Sequence, residues 1–275
     1  TSTIDSRPRD GRTGLQRRHG GRTNRLLATR AGGALVILGL LILWEVSARF
    51  WVDSMNWPPV SGVFVAVLTG SGELLGVLGA SIRLMLSGYG VGSVLGVAVG
   101  MTIGLSPFMR RALTPTLEFL RPLPVPGIVP PLILLLGIDD AMKITVVAFA
   151  SFFPVLINTA QGVRSVPPTL IDVARTFRHG RLRTLVAVML PAALPYILSG
   201  LRISLALALI VTVVAEMIAG GEGIGYYLMT MQYAMQPERM YAAVILLAAT
   251  GYALNLGILA VETRVLHWYR AGSDG

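Results

Sequence analysis

Residues 165–191 read Ser165-Val166-Pro167-Pro168-Thr169-Leu170-Ile171-Asp172-Val173-Ala174-Arg175-Thr176-Phe177-Arg178-His179-Gly180-Arg181-Leu182-Arg183-Thr184-Leu185-Val186-Ala187-Val188-Met189-Leu190-Pro191. Pro167 and Pro168 end any helix that arrives from the N-terminal side. Thr169, with Asp172 three residues on, has the form of a capping box that opens a new one. Leu170, Val173, Ala174 and Phe177 then fall at i, i+3, i+4 and i+7 and share one face, while Asp172, Arg175 and Arg178 point elsewhere. A helix of about two to three turns is marginal alone in water. It has to dock, either in a lipid interface or against another protein. A second amphipathic piece follows, with Leu182, Leu185, Val186 and Met189 on one face, before Pro191 and Pro195 mark the start of a long apolar segment.

On both sides of this stretch the chain is written for lipid. Of its 275 residues 53% are hydrophobic and 13% charged, where soluble domains carry about 25% charged residues, and the mean hydropathy is +0.68. A helix needs about 20 mostly apolar residues to cross the hydrocarbon. Residues 31–51, 82–106, 113–136, 142–162, 190–218 and 240–265 meet or approach that requirement, which predicts an all-α membrane protein with six transmembrane helices. Pro122, Pro124, Pro126, Pro130 and Pro131 interrupt the third span, as a break or as a kink, and Arg202 sits inside the fifth.

Arginine placement orients the spans, because cytoplasmic segments are enriched in basic residues. With the N-terminus inside, the inner segments collect Arg7, Arg9, Arg12, Arg17, Arg18, Arg22, Arg25 and Arg30, then Arg110, Arg111, Arg164, Arg175, Arg178, Arg181, Arg183, Arg264 and Arg270. The outer segments keep only Arg49, Lys143 and Arg239. Both termini are therefore expected in the cytoplasm, and 163–190 is expected to be a cytoplasmic loop. Residues 1–30 hold most of the net charge of +9 and few large apolar side chains, so they read as a disordered basic cytoplasmic arm. The arm lacks the aromatic platforms that nucleic acid would need; its expected contact is anionic membrane lipid. The six-span transmembrane body is 31–266, and 267–275 is a short C-terminal tail.

Gly88, Gly92, Gly96, Gly100 and Gly104 recur every four residues in the second span, a spacing that lets helices approach closely in lipid. A row of this kind drifts about 40° per step on an ideal helix, which predicts service to two neighbours in a tightly packed bundle or dimer. Catalytic signals are lacking by comparison. There is no cysteine, hence no thiolate nucleophile or Cys-based metal site, and the only lysine, Lys143, stands in Asp139-Asp140-Ala141-Met142-Lys143-Ile144, which is no phosphate-binding loop. His19, His179 and His267 have no partner at metal-ligand spacing. No enzyme, metal site or bound cofactor is expected in this chain; it reads as a conduit or scaffold.

Ionisable groups inside spans are expensive and mark pathways or internal pairs. Arg121, Arg202, Glu216 and Glu45 qualify, and Asn158, Thr159 and Gln161 add hydrogen-bonding capacity in the fourth span. A blander reading stands beside each: Glu45 and Glu216 lie near the outer interface and are wetted, and Arg202 forms an ion pair within the bundle.

The loop resembles the EAA motif of ABC-importer permeases: Glu-Ala-Ala, three residues, Gly, nine residues, an aliphatic residue, one more, then Leu-Pro. Asp172-Val173-Ala174, Arg178, Val188 and Leu190-Pro191 stand at those positions; Asp replaces Glu, Arg178 replaces the glycine, and Gly180 is displaced. The likeness runs from about Leu43 to Leu266 through Trp44-Glu45, Pro58-Pro59, Arg121-Pro122-Leu123-Pro124, Gly137-Ile138-Asp139, Phe153-Pro154, Ile157-Asn158-Thr159, Ala215-Glu216 and Gly223-Ile224-Gly225-Tyr226. These are similar to the nitrate, taurine and alkanesulfonate branch of such permeases. The resemblance implies a type I ABC importer permease fold in a bacterial inner membrane and a second permease copy, a homodimer. It also implies two cytoplasmic ATPase subunits that carry ATP and Mg, and an extracytoplasmic solute-binding protein. It makes Leu170 to Gly180, with Pro191, a coupling helix and its exit, and it favours a sulfonate such as taurine as cargo, with nitrate or a vitamin precursor as alternatives. An ATP-independent carrier or channel is the rival; such carriers usually show two repeats, and neither the loop motif nor the glycine row recurs.

Overall fold

A computed structural model describes residues 30–52 and 54–267, and every regular element among them is helical. The basic arm before Arg30 and the tail after His267 lie outside the described residues. Two compact units divide after Ser61. In the first, α1 (Arg30–Phe50) is followed by a loop folded back on it. Trp44 Nε1 donates to the Pro58 carbonyl at 3.1 Å, Trp57 Nε1 donates to Ser47 Oγ at 3.0 Å, and Glu45 accepts from the Ser61 N–H at 3.0 Å. Glu45 thus binds the first turn of α2 (Val60–Thr69), and its remaining oxygen is taken by Arg49 at 2.6 Å.

The second unit contains α3 (Ser71–Leu105), α4 (Pro107–Leu120), α5 (Val125–Leu136), α6 (Asp140–Arg164) and α7 (Pro168–Thr176). It continues through α8 (Arg181–Thr184), a π turn (Leu185–Met189), α9 (Leu190–Ala219), α10 (Ile224–Tyr233) and α11 (Pro237–Val265). Among the described residues four single helical stretches are long and apolar enough to cross a membrane: α3, α6, the continuous Arg181–Ala219 and α11. The expected spans 142–162, 190–218 and 240–265 lie inside them, and 82–106 does so but for Ser106, which caps α3. The third expected span, 113–136, is not one helix: α4 and α5 meet at 94°. Pro122 supplies no N–H and Pro124 pushes Leu123 out of the helical region, so the chain turns at 121–124, whereas Pro130 and Pro131 stay inside α5.

The glycine row of α3 decides the arrangement. A Cβ on Gly88 would come within 2.6 Å of Val147, on Gly96 within 2.8 Å of the Phe152 carbonyl, on Gly100 within 2.7 Å of the Leu156 carbonyl and on Gly104 within 2.6 Å of Val163; Gly92 meets the Ala148 carbonyl. All five glycines face α6 alone, which corrects the expectation of two neighbours. Rows at i±4 are inclined about 26° to the helix axis, so a helix laid along the row meets every step of it. Numbering rises together on both partners, so α3 and α6 run parallel. The chain between them must therefore return from one end to the other, and the bent α4–α5 pair makes that return.

Gly200 lies against Asn158 and Gly162 against Tyr196, which makes α9 antiparallel to α6. Arg202 reaches Glu262 at 3.6 Å and Gly251 meets Leu209, which makes α11 antiparallel to α9. The last turns of α3, α6 and α11 and the first turn of α9 consequently share one end. Leu84, Met85, Val129, Met142, Val146, Ala150, Leu205 and Ala208 form the main core, with α6 at its centre.

Candidate functional site

At the shared end, the loop after α6 folds into α7. Pro168 occupies the first turn and Pro167 the N-cap position, with no side-chain cap. The expected Thr169–Asp172 capping box does not form. Proline is preorganised for the first helical position and needs no N–H partner there, so the helix begins two residues early and Thr169 falls inside it. Asp172 instead meets Arg175 at 3.3 Å on the surface. The expected apolar face divides in two: Ala174 is 3% exposed, on a helix that touches the π turn, whereas Leu170, Val173 and Phe177 are exposed, Phe177 by 73%.

Arg178 takes φ 53°, the left-handed region. His179 N donates to the Ala174 carbonyl at 3.0 Å and Arg178 N to the Arg175 carbonyl at 2.8 Å, the paired bonds of a Schellman turn. The turn that a glycine would permit is thus made by an arginine. Beyond Gly180 the chain does not break at Pro191 and Pro195. The π turn, with Leu190 N bonded to the Leu185 carbonyl, absorbs one extra residue, and Arg181–Ala219 continues as a single helix.

Arg121, at the break between α4 and α5, lines an open cavity of about 420 Å³ together with Phe149, Phe153, Ile157 and Asn158. Asn158 keeps one amide bond, Nδ2 to the Pro154 carbonyl at 2.8 Å. A second cavity of about 580 Å³ shares Arg121, Phe153 and Ile157 and extends to Arg110, Arg111 and Arg164 at the end where α3 and α6 finish. Arg121 and Asn158 are therefore brought together; the other candidates are not. Thr159 is fully buried on the α3 side, where Gly100 meets its Cβ. Arg202 lines a separate cleft with Asn255 and Gly251 and is paired with Glu262.

Glu216 lies at the opposite end and is not wetted. It is 1% exposed, and its Oε2 accepts from Ser81 Oγ and from the Gly225 N–H, each at 2.9 Å. Ser81 Oγ accepts in turn from the Ile224 N–H at 2.8 Å. Lys143, 3% exposed, donates to the Gly220 carbonyl at 2.7 Å. The loop Gly220-Gly221-Glu222-Gly223 wraps this pair with positive φ at all three glycines, and a side chain at Gly223 would collide with the Glu216 carboxylate. One carboxylate and one ammonium thus join α3, α6, α9 and the start of α10. On α10, burial and the nearby Glu73 push the Tyr227 phenol above its ordinary value, so it stays neutral.

Sequence reasoning singled out Glu216 but missed its partners Ser81 and Lys143. A signal for Ser81 existed, since it precedes Gly88 by seven residues and so shares the inward face of α3. Arg110, Thr114, Glu118 and Arg121 likewise recur at helical spacing along α4, a polar stripe that the search for apolar spans passed over.

The family described as binding-protein-dependent transport system inner membrane component matches residues 92–267. A protein named as an aliphatic sulfonates transport permease, SsuC, from Bacillus subtilis (strain 168) is 34% identical over 86% of this chain and 87% of its own length. The taurine transport system permease protein TauC from Escherichia coli (strain K12) is 31% identical over 86% of this chain and 88% of its own. A solved inward-facing form of the MetNI methionine ABC transporter superposes with a TM-score of 0.60 over 67% of this chain and 92% of that one, at 17% identity, a likeness of fold.

Proposed function

Because the chain belongs to the family of binding-protein-dependent transport system inner membrane components, we propose that it is the permease through which an ATP-driven importer moves a small anion, a sulfonate of the taurine kind first among the candidates, into the cytoplasm. The observation that carries the coupling is α7. A short helix fixed to its own chain by Ala174 presents Leu170, Val173 and Phe177 outward, and such a face needs a groove to cover it. The groove in this reading belongs to a cytoplasmic ATPase subunit that binds ATP and Mg. Because Arg181–Ala219 is continuous from beside α7 to the Glu216 clasp, a push on α7 tilts one rigid rod through the bundle rather than bending a hinge.

Orientation follows from charge. Arg110, Arg111, Arg164, Arg175, Arg178, Arg181, Arg183 and Arg264 gather where α3, α6 and α11 end, and Glu73, Asp139, Asp140, Glu222 and Glu238 gather at the other end. The basic end is the cytoplasmic one by the positive-inside rule, so the C-terminus lies inside. With α1 as first span and the bent α4–α5 pair as third, the chain makes six crossings and the N-terminus is inside too. The anion passes along the Arg121–Asn158 groove, where the exposed Arg121 guanidinium and the half-buried Asn158 amide attract it without holding it tightly. A second copy closes the open side of the groove, and a binding protein delivers cargo at the acidic end.

Reconstituted with its cognate ATPase and binding protein, the chain is expected to take up labelled taurine or a related sulfonate only with ATP, and Phe177→Asp is expected to abolish uptake and ATPase copurification. Uptake without ATP, or uptake unchanged by Phe177→Asp, would favour the carrier reading.

A further inference from the structure

Arg110, Arg111 and Arg164 take no part in the coupling or in the clasp, yet they stand with Arg121 around one cavity of about 580 Å³ that contains a single carboxylate, Glu118. Among the described residues none of the four guanidiniums forms an ion pair, although five other arginine–carboxylate pairs occur. Arg164 Nε is bonded to the Ala160 carbonyl at 3.1 Å, a bond that uses neither terminal nitrogen of this exposed guanidinium. Arg110 and Arg121 are eleven residues apart on one continuous face of α4, about 16 Å of rise. The cavity wall beside them is apolar, from Ile103, Phe153, Leu156 and Ile157. Low-dielectric walls concentrate the field of like charges lining a cleft, and planar guanidiniums suit oxyanions by their paired N–H geometry.

We propose that Arg110, Arg111 and Arg164 form an oxyanion site at the basic-end mouth of the Arg121 groove, one that takes a sulfonate or phosphate group. The inference rests on the groove but not on ATP-driven import. The group comes either from cargo leaving the groove or from the headgroup of an anionic lipid, and the two sources are separable by experiment.

The test uses the full chain in phosphatidylcholine nanodiscs at low ionic strength. Equilibrium binding of labelled ethanesulfonate is measured, together with the immobilised fraction of spin-labelled phosphatidylglycerol added to the discs. Replacing all three arginines (Arg110→Gln, Arg111→Gln, Arg164→Gln) is expected to weaken association of at least one probe about tenfold, as loss of close, poorly screened charges requires. Arg164→Lys, which keeps the charge but loses the fork, should cost about threefold and guards against misfolding of the triple variant. Arg264→Gln removes a charge at the same end outside the cavity and should leave both probes unchanged. A loss confined to phosphatidylglycerol assigns the site to lipid; a loss of ethanesulfonate binding assigns it to cargo. Equal association of both probes with wild type and triple variant, or none with wild type, overturns the proposal and leaves the arginines as orientation signals alone. Phe177→Asp, which tests coupling, should leave this binding intact, so the two readings fail separately.

Discussion

Arg178 sits in a left-handed conformation, φ 53°, that disfavours any residue with a Cβ. The arrangement costs about 1 kcal/mol relative to glycine, and the two Schellman bonds at 2.8 and 3.0 Å show that the turn forms regardless. Arg178→Gly is therefore expected to raise loop stability by about that amount, read as slower amide exchange at residues 168–180. Faster exchange would mean that the arginine side chain contributes a contact that glycine lacks. Glu216 presents the opposite case, a residue whose removal leaves donors stranded. Glu216→Ala leaves the buried Ser81 hydroxyl only the long bond to the Val77 carbonyl at 3.3 Å, strands the Gly225 N–H and removes the carboxylate charge that Lys143 interacts with, so a loss of about 3 kcal/mol is expected. Glu216→Gln keeps one acceptor and should lose less; thermal unfolding in detergent compares the two.

Among elements, α3 and α6 depend on missing side chains. Gly96→Ala drives a methyl to 2.8 Å from the Phe152 carbonyl, which is backbone and cannot yield, so the pair must separate and stability should fall by about 2 kcal/mol. Gly90 lies on the same helix with nothing within 4 Å, and Gly90→Ala should raise stability by about 0.5–1 kcal/mol through helix propensity. Equal effects in thermal unfolding would refute the face assignment. The two faces of α7 separate in the same way. Ala174→Asp buries a charge and should lower the unfolding temperature, whereas Phe177→Asp, on an exposed side chain, should leave unfolding unchanged and remove only the proposed contact with an ATPase. Periodicity placed these two residues on one face; what splits them is the π turn, which α7 covers with its inner edge.

For the whole molecule, the parallel α3–α6 pair is the controlling fact, because it obliges the chain between them to cross the bundle although that segment bends by 94°. The absence of native cysteine makes the arrangement directly testable. A single Glu222→Cys should react with an impermeant maleimide from outside sealed cells, and Arg264→Cys only after the membrane is opened. Labelling of both from the same side would require an odd change in the number of crossings between α10 and the end of α11.

Helix content and the boundaries of the second, fourth, fifth and sixth spans to within about a turn at most ends were legible in the sequence. They depend on hydropathy, which acts locally and does not need a partner. The short helix after Pro167 was legible too, because its two prolines and its apolar spacing are local signals. The direction in which the glycine row faces was not, since a row at i±4 looks equally open to one inclined neighbour or two upright ones until α6 lies along it. Nor was the pairing of Ser81 and Lys143 with Glu216, which are separated by long stretches of chain and brought together only by parallel and antiparallel helix contacts. The sequence by itself settled a basic-ended helical membrane permease. Only the tertiary structure decided which polar side chains share a groove, which are spent on holding helices together, and where a proline-rich span turns, because each of those outcomes depends on what the neighbouring helix leaves unfilled.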